Sequence, residues 1–243
     1  MWVMTVLVLS GTTAGRRLAE AMVARGMVPL SSLPSGSTEQ PPGQVRHGGF
    51  GGAAGLADWL RSHHVEAVVD ATHPYASTMS RNAYQVSRAL QIPFLRVVRR
   101  SWRERADAND WYWVADHDEA CRVAGRIGAP IFLAVGRQPL WHYHLLPSPV
   151  TVRVSRDDGF ERPADWHVIE ARGAQSLDVE LGALEGQRVL VARDLGGTDH
   201  AAKLEAAAQL GVRVVMLSRP ELPGQQAANL DEALAWLARV SLR

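Results

Sequence analysis

Short apolar runs alternate with amphipathic stretches along this chain, and that alternation limits the fold more than any other feature. A short apolar run bounded by turn signals reads as a buried strand. A following stretch with apolar residues three and four apart reads as a helix that covers it. The spacing predicts strands at residues 6–9, 27–30, 65–69 and 94–98, and helices over 13–25, 56–63 and 77–90. Residues 31–44, rich in Ser, Pro and Gly, read as a loop. Residues 101–110 are polar and charged and mark the expected boundary between a domain of residues 1–105 and one of residues 106–243. Beyond it the alternation resumes, with strands expected at 111–114, 131–135, 150–154, 168–170, 188–192 and 212–217. Helices are expected at 118–127, 176–184, 199–210 and 231–240. Strands alternating with helices imply parallel sheets with right-handed crossovers, so the expected fold is α/β, with two Rossmann-like lobes.

Size and charge narrow the classes further. The 243 residues, 47% of them hydrophobic, suffice for one large α/β domain or two small ones. A formal net charge of +1 creates no global field that would attract nucleic acid or a membrane surface, so neither is an expected partner. Lys203 is the only lysine; every other basic residue that is not histidine is arginine. A GC-rich genome produces that bias. So do sites that grip carboxylates or phosphates through two parallel hydrogen bonds, which lysine cannot make. The single cysteine, Cys121, lies in an apolar run and reads as core, so neither an intrachain disulfide nor a thiolate metal site is expected. The apolar start, residues 1–9, is too short for a bilayer and lacks the basic flank of a signal peptide. It reads as a first strand, and a cytoplasmic location follows by default.

Three motifs carry chemistry. The first is Gly11-Thr12-Thr13-Ala14-Gly15-Arg16, where a strand runs through small residues into a helix. Such a turn aims backbone N–H groups at a phosphate, with Thr12 and Thr13 as hydroxyl donors and Arg16 as a counter-charge. An ordinary βα turn capped by threonine has the same composition. The second motif is Arg46-His47-Gly48-Gly49-Phe50-Gly51-Gly52. Its glycines suit close backbone approach to a ligand or several residues at positive φ, where a plain linker would seldom place a phenylalanine. The third is Asp70-Ala71-Thr72-His73-Pro74-Tyr75-Ala76, directly after a strand. Ligands of open α/β sheets bind at the carboxyl ends of strands, and His73 and Tyr75 are both competent proton donors. The bland alternative has Asp70 and Thr72 ordering the turn while Tyr75 packs.

Two further features are weaker. His142 and His144 have the look of a metal pair without a third ligand, and read as solvent-exposed histidines at a helix end. Gly196-Gly197-Thr198 precede a helix carrying Lys203, an anion-binding layout that a plain threonine N-cap would also produce.

Together these segments resemble the precorrin-6A reductase family, nearly from end to end. The likeness includes Gly11-Thr12-Thr13, the segment from Arg46 to Gly52 with Gly55-Leu56, and the segment from Asp70 to Ala76. It continues through Ser80-Arg81-Asn82-Ala83, Leu95-Arg96, Arg99, Trp102, Gly136-Arg137-Gln138, Arg172-Gly173, Gly196-Gly197 and Lys203 to Ala207. The second and third motifs at this spacing are its specific part.

The resemblance implies two Rossmann-like lobes with the active site in the cleft between them, and an oxidoreductase that acts on a CH–CH group. One ring double bond of precorrin-6A would be reduced by NADPH to give precorrin-6B in cobalamin biosynthesis, with no metal or flavin. On this reading the cofactor meets Gly11, Thr12, Thr13, Arg16, Gly48, Gly49, Phe50, Gly51, Asp70, Ala71 and Thr72, with Ser32 and Arg46 near its 2′-phosphate. The carboxylates of the tetrapyrrole meet Arg96, Arg99, Arg137, Arg172, Arg193, Gly196, Gly197 and Lys203. His73 and Tyr75 are the candidate acids, and the chain is expected to be a monomer or a weak homo-oligomer.

The sequence also departs from the family. Ser10 precedes Gly11, where the family usually has a glycine, and Ala14-Gly15 stands in place of an acidic residue. The loop Ser31-Ser32-Leu33-Pro34-Ser35-Gly36 has no arginine for a 2′-phosphate. The competing readings are a cobalt-precorrin-6A reductase of the anaerobic route and a non-catalytic dinucleotide sensor. A short-chain dehydrogenase is disfavoured, because Tyr75 and Tyr84 are followed four residues on by Met79 and Arg88, with no lysine in reach.

Overall fold

The computed structural model describes residues 4–242; Met1 to Val3, at the head of the expected first strand, and Arg243 lie outside the described residues. The chain runs through β1 (Val6–Leu9), α1 (Thr13–Val23), β2 (Pro29–Leu33), β3 (Gln44–His47), α2 (Gly52–Ser62), β4 (Ala67–Asp70), α3 (Ser77–Ala89) and β5 (Phe94–Val97). It continues with β6 (Tyr112–Val114), α4 (His117–Ile127), β7 (Ile131–Ala134), β8 (Val150–Val154), β9 (His167–Glu170), α5 (Leu177–Leu184), β10 (Val189–Arg193), α6 (Ala202–Leu210) and β11 (Arg213–Leu217). It closes with β12 (Gln225–Ala227) and α7 (Leu230–Val240).

These elements build two compact units. The first holds the chain up to Arg99 and again from Pro220 onward; the second holds Arg100–Arg219. Each contains one six-stranded sheet, ordered β3-β2-β1-β4-β5-β12 in the first and β9-β8-β7-β10-β11-β6 in the second. Every recorded strand pair is parallel. The first order reads 3-2-1-4-5-6 along its unit's own succession, the dinucleotide-fold order, and the second reads 4-3-2-5-6-1, the same arrangement with the far edge strand coming first. That edge strand comes from opposite ends: β12 returns late in the chain, whereas β6 opens the second unit. Among the described residues no helix is long and apolar enough to cross a membrane.

The central strands are apolar on both faces because both faces are covered. Val6 and Val8 of β1 pack with Leu18 and Met22 of α1 and with Leu234 and Leu237 of α7. Leu7 and Leu9 point the other way, onto Leu56 and Leu60 of α2 and Val86 of α3. In the second unit Phe132, Leu190 and Met216 form one core with Leu184 of α5 and Leu204 of α6. Truncating a fully buried leucine such as Leu7 to alanine costs about 2–5 kcal/mol.

The structure corrects three expectations. The second strand begins at Pro29 and runs through Ser31, Ser32 and Leu33, all buried, instead of ending at residue 30, and β3 follows inside and beyond the expected loop. The serines hid the strand, and the edge strand β3 is too short and half-exposed to show an apolar run. The single boundary after residue 105 is replaced by crossings after Arg99 and Arg219, because the sixth position of the first sheet is filled by the returning chain, with Gln225 opposite Leu95 and Ala227 opposite Val97. Finally, α6 begins at Ala202, with Ala201 at its cap and no side-chain cap bond. Thr198 therefore caps no helix, and the glycines before it are not at a helix start.

Candidate active site

The order of the first sheet reverses between β1 and β4, so their following loops diverge and leave a hollow at the carboxyl edge. A cavity of about 270 Å³ lies there, walled by Ser10 and Gly11 after β1, Ser32 to Pro34 of and after β2, Gly48 to Phe50 after β3, and Thr72, His73, Ala76 and Met79 after β4. Motifs far apart in sequence thus converge on one edge.

Gly11 has φ 103°, and a Cβ there would stand 2.9 Å from Cδ of Pro34. The turn and the closeness of Pro34 both demand glycine. Ser10 is 4% exposed, and its Oγ is a buried hydroxyl without a hydrogen-bond partner among the described residues. Its position explains Gly15, where a Cβ would meet Ser10 Oγ. The two departures from the family pattern at positions 10 and 15 are therefore sterically linked. Ser10 lies in the cavity wall though it is not among the residues expected there; its position directly after the first strand is the signal for it.

Several expected cofactor contacts hold the loops instead. Thr12 Oγ1 accepts from Gly15 N at 3.2 Å, capping α1, and donates its one proton to Ala71 O at 2.7 Å. It stitches the loop after β1 to the loop after β4 and has no proton left for a phosphate. Ala71 is buried and donates its own N–H to Leu9 O at 2.9 Å. Asp70, 2% exposed, accepts from Thr72 N at 3.0 Å and Thr72 Oγ1 at 2.7 Å on one oxygen, and from Arg96 Nε at 3.2 Å on the other. Asp70 is thus a bracket for the loop. Arg96, expected on substrate carboxylates, is 6% exposed and neutralises that bracket inside the unit. Thr13 is exposed in the first turn of α1, and Arg16 pairs with Glu20 along the helix at 2.7 Å.

The glycine segment is ordered by Arg46. Its guanidinium donates to Ser32 Oγ at 2.7 Å, Gly48 O at 2.9 Å and Gly49 O at 3.0 Å, and lies 3.9 Å from the centre of the Phe50 ring. Burial lowers its pKa from the usual arginine value. Gly48 and Gly51 have φ of 95° and 79°, and Gly51 in that left-handed conformation is the N-cap of α2. His73 stands in the cavity wall, and its Nδ1 accepts from Tyr75 N at 3.3 Å. On a neutral ring the proton then sits on Nε2. The Tyr75 ring is tilted beside it, with centroids 5.8 Å apart.

The expected substrate contacts divide as well. Arg99 is half-buried at the end of the first unit's leading segment. Arg137, Arg172 and Arg193 follow or end β7, β9 and β10 and share the carboxyl edge of the second sheet. Arg137 pairs with Asp158, and Arg172 Nε donates to Ser155 O at 3.0 Å. Gly136 has φ 79°, and a Cβ there would stand 3.2 Å from Arg193 Nη2. Gly196 instead serves packing: a Cβ would stand 2.2 Å from Arg100 O. Gly197 donates its N–H to Arg100 O at 3.1 Å and accepts from Trp102 Nε1 at 2.7 Å. Lys203 is 8% exposed and donates to His200 O at 2.7 Å. Burial pushes its pKa down to about 8, Glu180 opposing and Arg153 and Arg193 adding to the shift. It is a buried residue, not a surface clamp.

His142 and His144 are half-buried, not exposed. His142 Nδ1 lies 2.5 Å from Asp118 Oδ1, and its ring stacks on Trp141 and His117. His117, whose Nδ1 is 2.8 Å from the Tyr143 hydroxyl, is pushed down to about 4 by burial, His142 and Arg193. Sequence reasoning missed this cluster because its members are joined only by the packing of α4 against the turn after β7. Cys121, expected in the core, is only partly buried.

A parallel sheet of this order with a glycine-lined hollow at its switch point defines a Rossmann-type α/β protein, here doubled in one chain. The chain belongs to the precorrin-6x reductase (CbiJ/CobK) family, whose family model matches residues 5–238. It is 35% identical to the precorrin-6A reductase of Rhodococcus erythropolis, over 98% of this chain and 99% of that one. It is 36% identical to that of Mycobacterium tuberculosis, again over 98% and 99%. The solved structure of CobK precorrin-6A reductase superposes with a TM-score of 0.89 at 32% identity, covering 98% of this chain and 97% of the other.

Proposed function

We propose that this chain reduces one ring double bond of metal-free precorrin-6A to give precorrin-6B, with NADPH, in cobalamin biosynthesis. The observation that carries the reading is the full-length likeness to precorrin-6A reductases, combined with a hollow at the switch point whose walls suit a dinucleotide. The fit rests on the buried, unpartnered hydroxyl of Ser10, on Gly11, where a side chain would clash, and on the first turn of α1, whose N–H groups favour an anion.

When bound, NADPH supplies the hydride. The chain's own residues then do the rest. Ser10 and the backbone of Gly11 hold phosphate, and Arg46, with donors left beyond its three bonds to Ser32, Gly48 and Gly49, meets the 2′-phosphate. The phosphate-facing arginine expected and not found after β2 is thus supplied from the end of β3. Arg137, Arg172 and Arg193 hold the substrate's carboxylates by charge-assisted hydrogen bonds. His73, acting as an imidazolium and returning to the neutral ring as it gives up its proton, protonates the ring carbon beside the one that receives hydride; a well-placed acid contributes about 10²–10⁴-fold.

The test is single-turnover reduction under anaerobic conditions, with metal-free and cobalt-bearing substrate and with NADPH and NADH. The expected result is cofactor oxidation only with substrate present, fastest with the metal-free macrocycle and NADPH. Cofactor binding with no turnover would make the chain a sensor, and faster reduction of the cobalt form would assign it to the anaerobic route. His73→Ala should lower the rate at saturating substrate by about 10²-fold or more, with Tyr75→Phe as its comparator; an unchanged His73→Ala rate removes His73 as the acid.

A further inference from the structure

The opposite, amino-terminal edge of the first sheet holds a second and larger cavity, of about 560 Å³. It lies where β5 and β12 begin and where α3 and α7 end. Its walls include Arg88 and Gln91 from the end of α3, Phe94 of β5, Gln225 of β12, and Trp236 and Arg239 of α7. No aspartate or glutamate lines it. Among the described residues neither Arg88 nor Arg239 has a recorded ion pair or side-chain hydrogen bond. Arginine in the last turn complements a helix dipole, and each does so here. That role does not require two such arginines, from different helices, to face one hollow.

One further observation points to a ligand, the set of donors. Gln225 Oε1 already accepts from Trp236 Nε1 at 3.1 Å, which turns its amide NH₂ to other partners. The wall is also rigid: Gly224, at φ 107°, lets β12 start against Phe94, where a Cβ would stand 2.8 Å from the ring.

We infer that this cavity is a binding site for a small organic anion carrying two carboxylate or phosphate groups, held by Arg88 and Arg239. The apolar walls at Ile92, Pro93 and Phe94 take its carbon skeleton. Because Arg88 belongs to the leading segment of the chain and Arg239 to the returning one, the ligand ties β12 and α7 to the rest of the unit. Binding stabilises the fold by mass action, since only the folded chain presents both arginines.

The probes are citrate and pyrophosphate, titrated by calorimetry into the full chain saturated with NADPH, which keeps pyrophosphate out of the dinucleotide hollow. Thermal unfolding is followed in parallel. The expected result is one site for at least one probe, with a raised Tm. Arg88→Gln and Arg239→Gln should each weaken binding about tenfold or more, and the double variant should abolish both the heat and the Tm shift. The preferred probe identifies the source as carboxylate or phosphate. Arg239→Lys keeps the charge and loses the fork, so binding weakened but not lost separates recognition from misfolding. All these variants retain NADPH affinity and turnover. Absence of binding by both probes, or equal affinity in parent and double variant, overturns the proposal.

Discussion

In each sheet the strand beside β1 or β7 at the sheet's centre, β4 or β10, carries a buried aspartate at or just past its end, paired with an arginine in or just past the next strand. Asp70 closes β4 and meets Arg96 of β5 at 3.2 Å; Asp194 follows β10 and meets Arg219, just past β11, also at 3.2 Å. The two differ in what else they hold. Asp70 brackets its own loop through Thr72, so that loop arches away and leaves the hollow beside Gly11. Asp194 accepts from Ser101 Oγ at 2.5 Å and Trp102 N at 3.1 Å, drawing the segment that enters the unit onto the carboxyl edge. One topology thus leaves a hollow in the first unit and packs the entering segment in the second. Strand order locates where a site can be; the residues at strand ends decide whether one forms.

The sharpest way to break this comparison is to remove either carboxylate. Asp194→Ala leaves Arg219 buried without its partner and should lower stability by about 3–5 kcal/mol in urea unfolding. Asp70→Ala should cost a similar amount and, unlike Asp194→Ala, also weaken NADPH binding, because the loop bearing Thr72 and His73 loses its bracket. Unchanged cofactor affinity in Asp70→Ala would separate the bracket from the site.

The second unit alone has a buried lysine. Lys203 titrates near 8 in the folded chain against 10.5 in the unfolded one. Between those values the unfolded chain holds a proton that the folded chain has released, so stability rises as pH increases from about 8 to 10.5 and gains no slope from this group below 8. The full gain is on the order of 3 kcal/mol. Lys203→Met should flatten that rise relative to the parent; a parallel pair of stability–pH curves would show that the lysine is not the source.

The apolar strands were legible because strands covered on both faces are apolar along their length, as β1 and β7 are throughout and β4 and β10 are up to their last residue. What stayed hidden was structure without that signature. Ser31 and Ser32 lie in a strand but look like a turn, and β12 has only Ala227 buried, so the returning segment was assigned to the wrong unit. At the carboxyl edge of the first sheet, the loops were legible and the hydrogen bonds of their side chains were not. Thr12, Asp70 and Arg96 look like ligand residues because their chemistry is the same whether they bond a cofactor or a neighbouring loop. Only distances separate those uses, and the distances assign them to the loops.

A substitution at equivalent glycines sharpens the contrast at a smaller scale. Gly11 and Gly136 each stand two residues beyond the corresponding central strands, β1 and β7, at φ 103° and 79°. A side chain at 11 meets the Pro34 ring, which cannot swing away, whereas one at 136 meets the mobile tip of Arg193. Backbone strain of about 1–3 kcal/mol applies to both. Gly11→Val should weaken NADPH binding by about 10–100-fold, and Gly136→Val should leave it within about twofold. Equal loss at both positions would mean that the second edge also contacts the dinucleotide.

The smallest expected effect lies at His117 in the second unit. Burial, His142 and Arg193 together outweigh Asp116 and Asp118 and hold its pKa at about 4, against 6.5 when unfolded. As pH falls from 6.5 towards 4 the unfolded chain takes up this proton first, so the folded state loses stability across that window. The loosening should begin where the ring packs, at the start of α4 and the turn bearing Tyr143, and reach the first unit later. Hydrogen exchange at pH 7 and pH 5 reads this directly: amides near residues 117–121 and 140–144 should lose protection at pH 5 while those of β1 and β4 keep theirs. His117→Gln retains a hydrogen-bonding partner for the Tyr143 hydroxyl and removes the titration, so the difference between the two pH values should shrink. If exchange in the variant accelerates at pH 5 as much as in the parent, another group is responsible and the acid sensitivity does not belong to this cluster.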